Sequence, residues 1–109
     1  MKILLDENLP RKLRLSFASD HEIVTVREMN WLGKRNGELL GLMTINGFDA
    51  FVTIDKNLQH QQNIGRFAIQ LFVLNAPNNK IDTLNPYLEK LAETLDRRVS
   101  DQVVIIELD

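Results

Sequence analysis

Two short apolar runs in this chain stop abruptly at a carboxylate. Ile3-Leu4-Leu5 runs into Asp6 and Glu7, and Ala50-Phe51-Val52-Thr53-Ile54 runs into Asp55. A short apolar run without polar alternation reads as a strand buried on both faces, the kind that parallel sheets contain. Parallel strands bring all their carboxyl ends to one edge, and open α/β sheets bind ligands beyond that edge. Asp6 and Asp55 therefore face one another if their strands flank the point where the strand order reverses. Glu38, in the first turn of a helix crossing back from the same edge, is a third acid directed there. Three acids together are costly without a cation. Oxygen ligands of this kind suit Mg²⁺ or Mn²⁺, and such an ion activates water and stabilises phosphoryl oxygens. Each acid also has a plain structural reading. An Asp after a strand is an ordinary helix cap, and a first-turn Glu complements the helix dipole.

Around these acids stand groups able to hold phosphate. Arg11, Lys12 and Arg14 follow Asp6, and Lys56 follows Asp55. They would position a nucleic-acid backbone rather than read its bases; the alternative is a solvated helix face. Lys34-Arg35 carry the same two readings. Gln59, His60, Gln61, Gln62 and Asn63 would bond a backbone or form a wet surface, and Trp31 reads as core or partner interface. Zero cysteines exclude a disulfide framework, thiolate catalysis and Cys-type zinc sites. Two histidines argue against a His-rich metal site.

The elements that must place these residues follow from periodicity. Strands are expected at 3–5, 22–26, 50–54, 69–74 and 103–106. A helix capped by Asn8, with Pro10 in its first turn, is expected to about residue 18, with Leu9, Leu13 and Phe17 on one face. A second helix opens at Gly37-Glu38 and stops at Asn46-Gly47. The longest helix covers 81–98, with Leu84, Leu88, Leu91 and Leu95 inward. Residues 27–36 read as a loop or short helix, and 56–66 as a polar turn or short helix. Alternating strands and helices imply an α/β fold with a mainly parallel five-stranded sheet between helical layers, a three-layer α/β/α sandwich. The length of 109 residues is that of one domain.

Net charge is −2, with nine basic and eight acidic residues before position 67 and four and seven after it. Nucleic-acid contact, if made, is local and belongs to the N-terminal two thirds. No run of about 18 apolar residues is present, and the start is too short in apolar residues for a signal peptide. A cytoplasmic chain without a membrane partner is expected.

The opening Met1-Lys2-Ile3-Leu4-Leu5-Asp6-Glu7-Asn8-Leu9-Pro10, followed by Phe51-Val52-Thr53-Ile54-Asp55-Lys56-Asn57, resembles the PIN-like family of small bacterial proteins. That family, of unknown function, is related to PIN-domain ribonucleases and to the toxins of type II toxin–antitoxin pairs. Asn36-Gly37-Glu38-Leu39-Leu40 is similar to the middle motif of one branch. The resemblance covers nearly the whole chain and implies a single PIN-like domain over 1–109. It implies Mg²⁺ or Mn²⁺ held by carboxylates, RNA as the substrate and an antitoxin protein as inhibitor, with a homodimer left open. Many members carry Asp where this chain has Asn36, and Asp-Phe where it has Asn57-Leu58. The implied site is therefore thinned to Asp6, Glu38 and Asp55, with Glu7 as helper and Asn57 offering a carbonyl oxygen. The function expected is a metal-dependent endoribonuclease, the toxin of such a pair. The alternative is a catalytically inactive PIN-like module that binds a protein. A receiver domain also begins with a strand ending in acids, but strand four here ends at Asn75-Ala76 and no Lys follows strand five.

Overall fold

A computed structural model of the chain describes residues 1–10, 12, 13, 21–60 and 64–108. The strands are β1 (Lys2–Leu5), β2 (Glu22–Thr25), β3 (Ala50–Thr53), β4 (Gln70–Leu74) and β5 (Val103–Ile106). The helices are α1 (Asn36–Ile45) and α2 (Ile81–Asp96), and two 3₁₀ turns, Leu58–His60 and Ile64–Arg66, lie between β3 and β4. All five strands pair in parallel, in the order β2-β1-β3-β4-β5. The fold is α/β, and the sheet expected to be mainly parallel is parallel at every pairing.

Alternation along the strands sends successive side chains to opposite faces. Ile3, Leu5, Ala50, Val52, Phe72 and Leu74 join one cluster, together with Leu84, Leu88, Leu91 and Leu95 of α2. Leu4, Phe51, Leu71 and Val73 join the other, with Leu39, Leu40 and Met43 of α1. Three central strands buried on both faces explain why their sequences show no polar alternation. Trp31 is buried in the second cluster, edge-on to Phe48 with centroids 5.9 Å apart, and is a core residue.

Local chemistry sets the element ends. After β2, the Thr25 hydroxyl accepts from the Glu28 amide at 3.0 Å while the Glu28 carboxylate accepts from the Thr25 amide at 3.1 Å. This reciprocal pair is a capping box, so the loop expected at 27–36 begins as an ordered turn. The first α1 bond, from the Leu39 amide to the Arg35 carbonyl at 2.8 Å, starts the helix at Asn36. Gly47, at φ 76°, ends it as expected. Helix α2 stops at Asp96 rather than 98, because Arg98 adopts φ 54° and leaves the helical region. Most of the helix expected over 8–18 lies outside the described residues, although Leu9 and Leu13 are buried in the α2-side cluster. No helix among the described residues is long and apolar enough to cross a membrane.

Candidate functional site

Strand order places the first feature of the site. Strand β1 lies between β2 and β3, so the order reverses there and the carboxyl ends of β1 and β3 form the switch point of the sheet. Asp6 follows β1 directly. Its amide donates to the Val52 carbonyl at 3.0 Å, and the Val26 amide donates to the Leu5 carbonyl at 3.0 Å, so the backbone at Asp6 is held by strands on both sides.

The side chain is held as firmly. Asp6 Oδ2 accepts from the Thr53 hydroxyl at 2.6 Å, and Oδ1 accepts from the Glu7 amide at 2.8 Å. The Thr53 oxygen in turn accepts from the Asp55 amide at 3.0 Å. A single fully buried hydroxyl thus ties the Asp6 carboxylate to the backbone amide of Asp55. Asp55 Oδ1 accepts from the Asn57 amide at 3.0 Å, turning the chain away into the first 3₁₀ segment. Lys56 reaches across to the Ala76 carbonyl at 3.3 Å, and Asn79 Nδ2 reaches the Asn8 carbonyl at 3.0 Å. The loops after β1, β3 and β4 are in this way laced together at one edge.

Electrostatics mark Asp6 out. Burial pushes its carboxyl above the ordinary value. The charges of Glu7 and Asp55 push the same way, against the opposing hydrogen bonds from Thr53 and Glu7. Asp6 is a half-buried carboxylate with acids beside it. A cation would relieve both penalties. Carboxylate oxygens are suitable donors for Mg²⁺ or Mn²⁺, and each Asp6 oxygen retains a second lone pair after accepting its hydrogen bond. Asp6 and Asp55 offer oxygen donors of the kind such an ion takes.

Glu38 stands apart. Leu39, Leu40 and Met43 turn toward the sheet, which rotates Glu38 to the outer side of α1, where it is exposed beside Gly33, Lys34 and Arg35. The charges acting on Asp6 are those of Glu7 and Asp55. Among the described residues no three of His, Cys, Asp and Glu are grouped so as to hold a metal ion. Asn57 is exposed, and its amide serves Asp55. Lys12 is exposed, whereas Arg11 and Arg14, named for phosphate contact, lie outside the described residues, as do Gln61, Gln62 and Asn63. Sequence reasoning missed Thr53, because within a β-branched run a threonine reads only as a strand former. Its place opposite Asp6 appears once β1 and β3 are known to be neighbours. Comparison with protein-family models, with curated proteins and with solved structures finds no match to this chain.

Proposed function

We propose that this chain is a divalent-cation-dependent endoribonuclease of the PIN-like kind, with Asp6 and Asp55 as its cation-binding acids and Thr53 as the residue that sets their spacing. The observation behind this reading is the Thr53 hydroxyl joining the Asp6 carboxylate to the Asp55 backbone at the sheet's switch point. When bound, Mg²⁺ or Mn²⁺ would supply water activation and charge stabilisation at phosphate. The chain's own part is to fix Asp6 in direction through two accepted hydrogen bonds, beside a second acid. Lys56 and Lys12 supply cationic groups for an RNA backbone. The toxin role, with an antitoxin protein as inhibitor, belongs to the same proposal, as does a cytoplasmic location.

One observation favours a second reading, a module that binds a protein without cleaving RNA: Glu38 is turned to the outside, leaving Asp6 and Asp55 as a pair. Melting with and without Mn²⁺, together with cleavage of a mixed single-stranded RNA pool, separates the two. The nuclease raises its melting temperature with Mn²⁺, because an ion bound only by the folded state stabilises it by mass action. It cleaves RNA with Mn²⁺ and not with EDTA, and Asp6→Asn abolishes both effects. A parent protein with no Mn²⁺ shift, and no cleavage above background with Mn²⁺ or with EDTA, would leave the binding module as the reading.

A further inference from the structure

The amino edge of the sheet, opposite the edge that carries Asp6 and Asp55, has a cavity of its own. Its volume is about 540 Å³, within the range of small-molecule sites. Two strands and a helix end build it. His21 stands immediately before β2, and Gln70 opens β4 with Phe72 two residues along the same face. Leu95 and Asp96 end α2, and Arg98 follows them. Phe72 and Leu95 are buried members of the α2-side core, so the cavity has an apolar floor. Its wall is tied in place. Gln70 Nε2 donates to the Val99 carbonyl at 2.7 Å and to the Asp101 carbonyl at 2.8 Å, fastening the chain that follows α2 to the first residue of β4. An apolar floor with a few polar groups around it is the composition of a small-ligand site.

The backbone at Arg98 is an independent observation. Its φ of 54° lies in the left-handed region, and its amide donates to the Leu95 carbonyl at 3.1 Å as the helix closes. Glycine makes that turn without strain, whereas arginine makes it at a cost. Strained residues of this kind cluster at ligand clamps. Within the chain the Arg98 side chain has no charge to answer. Among the described residues it makes no ion pair, while its neighbour Arg97 pairs with Glu93 at 3.9 Å. Asp96 lies in a last turn that has no basic residue, so the side of the cavity formed by the helix end is negative.

We infer that this cavity binds a small organic monocarboxylate with an apolar body, its carboxylate taken by the Arg98 guanidinium and its body laid on Phe72 and Leu95. A guanidinium meets a carboxylate through two parallel N–H···O bonds. His21 adds an imidazole to the same lining. Asp96 sets the limit on charge: a second negative charge on the ligand is repelled, which disfavours a phosphate monoester. Asp6, Thr53 and Asp55 take no part, and the inference stands apart from the nuclease reading.

Phenylacetate is the probe, titrated into the isotope-labelled protein in metal-free buffer. Saturable shifts are expected at the amides of residues 95–99 and of Gln70, with those of Asp6 and Asp55 unmoved, and the melting temperature should rise with the probe. Phenylacetamide has the same shape without the charge. It should bind at least about tenfold more weakly, as expected when a charged hydrogen bond is lost. Phenyl phosphate should also bind more weakly than phenylacetate, and Asp96→Asn should narrow that gap. Arg98→Gly separates binding from folding. Without the probe it should melt no lower than the parent, because the strain is relieved. It should nevertheless bind phenylacetate at least about tenfold more weakly, as should Arg98→Gln, which loses the charge and keeps a long side chain. Asp6→Asn should bind as the parent does. No saturable binding of phenylacetate, or full affinity in both Arg98 variants, overturns the proposal. So do equal affinities for phenylacetate and phenylacetamide, or shifts confined to the edge of Asp6 and Asp55.

Discussion

The Thr53 hydroxyl does two things at once, donating to Asp6 and accepting from the Asp55 amide. Thr53→Val keeps the shape and removes both. It strands a carboxylate oxygen and an amide, and should cost about 1–3 kcal/mol in urea unfolding. Thr53→Ser keeps the hydroxyl and should lose only about 1 kcal/mol for the missing methyl group. Equal losses for the two variants would deny the hydroxyl its role. Asp6 brings a pH dependence whose sign follows from its raised proton affinity. The folded chain holds this proton more tightly than the unfolded chain does. Protonation therefore favours the fold, and the contribution is complete below the ordinary value of 3.8 and lost as pH rises through the raised one. Asp6→Asn cannot titrate. In metal-free buffer the parent should gain stability relative to Asp6→Asn as pH falls from neutral toward 3.8, measured by urea unfolding at a series of pH values. A gap that stays constant with pH would contradict it. The two aspartates were legible because apolar runs that stop at an acid reveal both strand and edge. The orientation of Glu38 was not, because the spacing of a helix's acid says nothing until the inward residues fix the helix's rotation.

Backbone conformations at the helix ends make the next scale testable. Gly47 and Arg98 both sit in the left-handed region, at φ 76° and 54°. For an L-residue that conformation costs roughly 1–2 kcal/mol. Gly47→Ala should destabilise by about that amount, while Arg98→Gly should stabilise by up to about 1 kcal/mol, since glycine's extra freedom when unfolded offsets part of the gain. Thermal or urea unfolding checks both, and a stabilising Gly47→Ala would contradict the geometry. Two glutamines hold the opposite edge of the sheet. Gln70 Nε2 donates to the Val99 and Asp101 carbonyls at 2.7 and 2.8 Å, and Gln102 Nε2 to those of Ile64 and Phe67 at 2.8 and 3.0 Å. Gln102→Ala should release the segment before β4, seen as faster amide exchange near Phe67, at about 1–3 kcal/mol. At this scale the strands and α2 were legible within a residue or two, because periodicity reports burial directly. The capping box was spelled out as Thr25-x-x-Glu28, yet it sits inside a polar stretch that reads as loop. The glutamine bonds join loops from distant parts of the chain, and no local pattern announces them.

At the scale of the molecule, strand alternation with helices indicated a parallel sheet, and the register shows how far that choice reaches. Leu4 pairs with Val24, Leu5 with Val52, Phe51 with Leu71 and Phe72 with Val104. No strand pair described is a hairpin, so every pairing closes a long stretch of chain before it gains anything. Refolding is accordingly expected in the range of milliseconds to seconds rather than microseconds, as stopped-flow fluorescence of Trp31 would record. The same order bears on synthesis. Strand β1 is synthesised before both its neighbours, and one of them, β3, emerges only after α1. Until residues 50–53 arrive, Ile3, Leu4 and Leu5 present an unpaired edge on a nascent chain. Shielding of that edge by a chaperone during translation is the expected consequence.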